Sequence, residues 1–183
     1  MLDLCCGLGG ASAAMRDRGW RVVRIDLMAD CAADIVADVR ALPLKPFPVD
    51  LLWASPDCTQ FTLERLPFAS CKRKAGPIDL AVPLAIKELI AAWRPRFWIV
   101  ENVEGSRKYL GKIFGQVRAS ARAHYFWSNL PLLVPNVAGV KCINGKRGAR
   151  SRREHLRASM IPYQVSQAAA IAVEREIALE AGA

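Results

Sequence analysis

The chain has 183 residues, of which 52% are hydrophobic, enough to bury one sizeable core with little to spare for a second. Its 26 Lys and Arg against 17 Asp and Glu leave a net charge of +9, which favours polyanions through counterion release and makes nucleic acid the leading partner class. Six cysteines without the paired spacing of zinc sites, no apolar run near the roughly 20 residues of a membrane span and no secretory leader together predict a cytoplasmic protein with no metal site and no membrane contact.

In chain order, Leu2-Asp3-Leu4-Cys5-Cys6 reads as a buried strand ending at Gly7, after which Gly9 and Gly10 lead into a helix from Ala11 to Arg18. A second apolar strand, Arg21 to Ile25, closes on Asp26, and a short third, Ile35 to Ala37, closes on Asp38. Further strands are expected at Val49 to Ala54 and Phe97 to Val100, with an apolar-periodic helix from Leu80 to Trp93 between them. The order loosens after Val103. Gln116 to Leu130 is expected to supply one or two strands, Val134 to Arg157 is polar with seven Lys or Arg and one Glu, and Pro162 launches a last helix from Tyr163 to about Leu179. Alternating strands and helices predict an α/β fold with a mostly parallel, Rossmann-like sheet and helices on both faces. Ligands of such sheets bind at the carboxyl ends of the strands.

The chemistry-bearing residues fall at those ends. In Asp3-Leu-Cys-Cys-Gly7-Leu-Gly9-Gly10 the glycines remove side chains where the backbone turns sharply and can lie against a nucleoside-type ligand. Asp26 stands where Rossmann-like proteins place an acid on ribose hydroxyls, and Asp38 can accept from an adenine amino group; either can instead cap the turn that follows it. Cys58, in Ser55-Pro56-Asp57-Cys58-Thr59-Gln60-Phe61-Thr62, is a thiol on a strand-end loop beside this turn. A free cysteine is more often a small buried hydrophobe than a nucleophile. The balance shifts with Trp98-Ile99-Val100-Glu101-Asn102-Val103, which delivers Glu101 behind apolar residues that desolvate it and help it to hold a proton.

These motifs resemble the DNA (cytosine-5) methyltransferase family, particularly its short phage-type members. The glycine turn is similar to the family's cofactor motif, Ser55 to Thr62 to its Pro-Cys motif and Glu101-Asn102-Val103 to its Glu-Asn-Val motif. Arg122-Ala-His-Tyr125-Phe126-Trp127-Ser-Asn129-Leu-Pro131 is similar to the strand that carries a later arginine, and Ser159-Met160-Ile161-Pro162 with its helix resembles the last motif, which folds back on the cofactor. The resemblance covers nearly the whole chain. It implies a methyltransferase fold over residues 1–183 as a single catalytic domain, S-adenosylmethionine as cofactor and DNA as substrate. It also implies cofactor contacts at Asp3, Cys5, Gly7, Gly9, Gly10, Asp26, Leu27, Asp38, Val39, Ser55 and Pro56. Catalysis would rest on Cys58 as thiolate, Glu101 as proton donor and Arg122 at the base carbonyl. RNA-directed relatives share these motifs, so a transfer-RNA cytosine-5 methyltransferase is an alternative, as is a silent cofactor- and DNA-binding homologue.

The chain departs from the family pattern at Asp57, where proline usually precedes the cysteine and where a carboxylate opposes thiolate formation. Thr59 replaces the usual Gln. The short interval from Glu101 to Arg122 leaves Arg118 as an alternative for the arginine's role. For the nucleic acid, the loop after Cys58 offers Arg65, Lys72, Arg73 and Lys74, either as phosphate contacts or as a solvated basic face. Residues 131–157 stand where relatives place target recognition, and their Lys146, Arg147, Arg150, Arg152 and Arg153 suit phosphates more than base edges.

Overall fold

The computed structural model describes residues 1–61, 77–121, 123–130 and 160–182. Seven strands form one sheet: β1 (Leu2–Leu4), β2 (Val23–Asp26), β3 (Ile35–Val36), β4 (Leu51–Ala54), β5 (Phe97–Val103), β6 (Ala119–Ala121) and β7 (His124–Ser128). Their spatial order is β3-β2-β1-β4-β5-β7-β6. The pairs β1–β2, β1–β4, β2–β3 and β4–β5 are parallel, and β7 alone runs against its neighbours β5 and β6. This is the expected mostly parallel, Rossmann-like α/β sheet, with strand order reversing at β1 and β4.

Both faces of the sheet are covered, which is why its strands read as continuous apolar runs rather than alternating ones. Successive side chains nevertheless divide between two cores. Leu51, Trp53, Phe97, Ile99 and Phe126 pack with Met15 of α1 (Ala13–Asp17) and with Val165, Ala169 and Val173 of the last helix, α4 (Tyr163–Ala181). Leu2, Leu4, Leu52, Val100 and Trp127 pack on the other face with Ile86 and Trp93 of α2 (Ala81–Trp93) and Leu110 of α3 (Arg107–Phe114). Pro162 precedes α4 as expected. The Ser166 hydroxyl ties α4 to α1 inside the core, donating to the Ala11 carbonyl at 2.6 Å and accepting from the Ala14 amide at 3.1 Å. Glu174 adds a rim contact, accepting from Arg18 and from the Trp20 indole.

Two differences from the sequence reading matter for the site. β5 does not end at Val100 but continues through Glu101, Asn102 and Val103, because β7 pairs with it antiparallel and supplies the ladder hydrogen bonds. Helix α3, absent from the sequence reading, follows β5 through a 3₁₀ turn at Glu104–Ser106. Arg107, Lys108, Gly111 and Lys112 dilute its apolar period, and packing of Leu110, Ile113 and Phe114 against the sheet stabilises it instead. Among the described residues no helix is long and apolar enough to cross a membrane.

Candidate active site

A cavity of about 670 Å³ opens at the carboxyl ends of β1, β2, β4 and β5, within the range of small-molecule sites. The glycine turn forms its floor. Left-handed backbone at Cys5 (φ 54°), Gly7 (φ 52°) and Gly9 (φ 77°) folds the chain back sharply enough for the Gly9 amide to reach the Cys6 carbonyl at 2.8 Å. Only glycine adopts this conformation freely, and Cys5 does so at a cost. Gly10 is required for another reason: a Cβ there would lie 2.5 Å from Met160 Cγ and 2.7 Å from the Ile161 carbonyl oxygen. The segment leading into α4 is thus seated directly on the turn, and Met160 and Ile161 close that side of the cavity. Gly10→Ala should therefore push this segment off the turn and lower stability by roughly 1–3 kcal/mol, readable as an earlier denaturation midpoint.

Cys5, Gly7, Gly10, Asp26 and Leu27 line the cavity, as do Asp38 and Val39 on its β2–β3 side. Gly9 and Asp3 do not. Gly9 packs toward Arg24 and Ala32, and Asp3 is fully buried. The two strand-end acids both cap turns. Asp26 accepts from the Gly7 amide at 2.9 Å and from the Met28 amide at 3.0 Å, stitching the glycine turn to β2. Asp38 accepts from the backbone and guanidinium of Arg40, which hold its carboxyl down at about 2. Each carboxylate oxygen can accept more than one hydrogen bond, so capping leaves room for a ligand hydroxyl or amino group. Leu27, 58% exposed, presents an apolar surface at the rim.

Neither carboxyl oxygen of Asp3 has a hydrogen-bond partner of normal geometry, since the nearby Ser12 hydroxyl is turned to the Gly9 carbonyl at 3.4 Å. Burial pushes this carboxyl up to about 7, against smaller opposing pulls from Ser12 and Arg24. Burial, followed by the nearby carboxylates, also pushes the Cys5 and Cys6 thiols well up, so both stay protonated at neutral pH.

The loop after β4 holds Cys58 at the opposite wall. The Ser55 amide donates to the Leu4 carbonyl at 3.1 Å, and the Trp53 indole donates to the Ser55 hydroxyl at 3.1 Å. Buried Asn102 donates its amide to the Pro56 carbonyl at 2.9 Å, which ties the loop to β5. Asp57 accepts from the amide and hydroxyl of Thr59 at 3.0 and 2.6 Å, and the chain is helical from Thr59. This turn lies against Gly105, where a Cβ would come 2.4 Å from the Phe61 carbonyl oxygen. Ser55, Pro56, Cys58 and Glu101 all line the same cavity.

Glu101 is almost fully buried, and its Oε1 lies 2.7 Å from Nδ1 of His124, which also lines the cavity. The sequence motifs point to Arg122 and carry no signal for His124. In the sheet His124 stands opposite Val103, on the diagonal from Glu101, a separation that long side chains bridge. The signal that could have found it is that antiparallel pairing, which the sequence does not announce.

Arg118 is exposed and outside the cavity lining, with its amide donated to the Phe126 carbonyl at 2.8 Å. Arg122, the loop carrying Lys72, Arg73 and Lys74, and the stretch with Lys146, Arg147, Arg150, Arg152 and Arg153 lie outside the described residues. Among the described residues no group of three or more His, Cys, Asp or Glu is placed to hold a metal ion.

The chain is 32% identical over 117 residues to "Probable DNA (cytosine-5)-methyltransferase" of Frog virus 3 (isolate Goorha), across 58% of this chain and 55% of that protein. The resemblance is to a DNA (cytosine-5)-methyltransferase. This is the family that the sequence motifs resemble, and the chain spans about half the length of this curated relative. Among solved structures, a "putative DNA modification methyltransferase encoded within prophage Cp" of E. coli superposes with a TM-score of 0.48 at 17% identity, covering 69% of this chain and 45% of the other. The PH0226 protein of Pyrococcus horikoshii OT3 gives a TM-score of 0.36 at 20% identity over 67% of this chain and 57% of that one. No protein-family model matches the chain.

Proposed function

We propose that the chain is a DNA (cytosine-5) methyltransferase that uses S-adenosylmethionine and attacks its base with Cys58. The observation that carries this reading is that Cys58 and Glu101 line one cavity whose floor is the glycine turn. A thiol and a buried carboxyl on one side and a nucleoside-sized cleft on the other are the parts that the reaction needs.

The cavity also suits the cofactor. Its ionisable lining is acidic, with Asp26, Asp38, Asp57 and Glu101 against Arg40 and His124, although the protein as a whole is basic. Asp3 adds a buried carboxyl beneath the floor. Such lining favours a cationic small molecule inside, while the outer surface favours a polyanion. Asp26 and Asp38 would meet its hydroxyl and amino groups and Leu27 its ring. Bound there, S-adenosylmethionine supplies an electrophilic methyl group.

The residues of the chain supply the rest. Carbon 5 of cytosine is a weak nucleophile, so Cys58, as thiolate, adds to carbon 6 and makes carbon 5 enamine-like. Glu101 gives its proton to ring nitrogen 3 as charge develops there, and Arg122 is assigned to the carbonyl at position 2. After methyl transfer the hydrogen on carbon 5 leaves to a base, Cys58 is expelled as thiolate and nitrogen 3 returns its proton to Glu101. Attack on the ring face requires the base to leave the helical stack. Lys72, Arg73 and Lys74, with the basic residues of the reduced target-recognition region 131–157, would hold the phosphates.

The test is incubation with labelled S-adenosylmethionine and, in parallel, DNA and transfer RNA, followed by mass spectrometry of the modified base. 5-Methylcytosine in DNA is expected. Label on adenine, on the exocyclic nitrogen of cytosine or in RNA alone would overturn the assignment.

A further inference from the structure

We infer that His124 is a positioning residue for the reaction, selecting which oxygen of Glu101 carries the proton given to the base. The inference rests on the cytosine-5 reading above and adds to it a residue that the motif resemblance does not assign. Three observations carry it. Nδ1 of His124 lies 2.7 Å from Oε1 of Glu101, within the range of a hydrogen bond. Both side chains are close to nine-tenths buried, so water does not compete freely for the contact. Both also line the cavity that holds Cys58, which puts the pair at the reacting base and not in a remote part of the core.

A neutral carboxylic acid has one oxygen that donates and one that accepts, and only the donor can protonate nitrogen 3. With its proton on Nδ1, His124 donates to Oε1 and makes that oxygen the acceptor. The acidic proton of Glu101 must then sit on Oε2, the oxygen left for the base. With its proton on Nε2 instead, His124 would draw the Glu101 proton onto Oε1 and toward itself, and Oε2 could only accept. The ring nitrogen that carries the proton therefore sets the direction in which Glu101 works, much as a buried carboxylate sets the tautomer of a catalytic histidine. His124 keeps its Nδ1 proton throughout, while the Glu101 proton passes from Oε2 to nitrogen 3 and later returns to the same oxygen.

The experiment compares the full-length wild type with His124→Asn, whose amide N–H can take the place of Nδ1–H, and His124→Leu, which fills the space without a donor. Single-turnover methyl transfer should fall about 100-fold in the Leu variant, with the KM values for DNA and S-adenosylmethionine little changed, and the Asn variant should recover at least about tenfold of that loss. Thermal melting and cofactor binding show whether each variant is folded. A Leu variant within about threefold of wild type, or an Asn variant no better than Leu, would overturn the inference. Nitrogen-15 NMR gives an independent reading, made simple by a sequence with two histidines, His124 and His155. A ring protonated on Nδ1 alone is expected; protonation on Nε2 alone, or on both nitrogens, would overturn the inference even if the kinetics were ambiguous. A wild type that methylates no cytosine would instead overturn the functional reading beneath it.

Discussion

Replacing Cys58 with alanine should lower methyl transfer by more than about 10⁴-fold while leaving the fold and cofactor binding intact. The loop that carries Cys58 is held by contacts that do not involve its sulfur: Asn102 to the Pro56 carbonyl, Ser55 to the Leu4 carbonyl, and the close approach of Gly105 to Phe61. Removing one part-exposed sulfur atom therefore leaves the backbone in place. Cys5 and Cys6 are poorly suited to take over, because burial, followed by the nearby carboxylates, keeps both thiols protonated. DNA carrying 5-fluorocytosine separates this reading from a non-covalent one. The wild type should form a covalent complex, since the fluorine cannot leave as a proton, and Cys58→Ala should form none. Methyl transfer persisting in the variant would show that carbon 5 is activated by something other than this thiol.

The parts of the site that were legible in the sequence are those fixed by local backbone chemistry. The glycine turn, the acids closing β2 and the next turn, and the Pro-Cys loop each sit within a few residues of a strand end, and strand ends of a parallel sheet converge. The contacts made through β7 were not legible. β5 reads as ending near Val100 because Glu101 and Asn102 are polar, yet their backbones are paired with Phe126 and Tyr125 and their side chains are spent on His124 and Pro56. Local propensity carries no information about which distant strand will supply such partners. The Asp57 departure is a milder example: the carboxylate placed beside the nucleophile is engaged by Thr59, which replaces the family's usual Gln. The two departures from the motif are thus in contact with one another.

Asp3→Asn should change how stability depends on pH more than any other single substitution in the described part of the chain. In the folded protein the Asp3 carboxyl, fully buried and with no hydrogen-bond partner of normal geometry, keeps its proton up to about pH 7, whereas its ordinary value is 3.8. Between those values the folded state holds a proton that the unfolded state has released. Linkage then makes native stability fall as pH rises through this window and level off above it. A rise from 3.8 to about 7 corresponds to roughly 4 kcal/mol as a ceiling. Asparagine has nearly the same shape and no charge to bury, so the variant lacks this slope. Its own unsatisfied amide costs about the same at every pH. The diagnostic is therefore a difference: the melting temperature of Asp3→Asn relative to wild type should rise by at least about 5 °C between pH 5 and pH 8. The same carboxylate lies under the cavity floor, where its charge acts on whatever occupies the cavity. S-adenosylmethionine, with its sulfonium, should lose affinity in the variant at pH 8, and S-adenosylhomocysteine, with a neutral sulfur, should lose less. Equal losses for the two would mean that Asp3 is neutral at pH 8 and acts on the ligand through packing alone, whereas parallel melting curves at pH 5 and pH 8 would mean that Asp3 is already ionised in the folded protein across this range and its carboxyl is not raised.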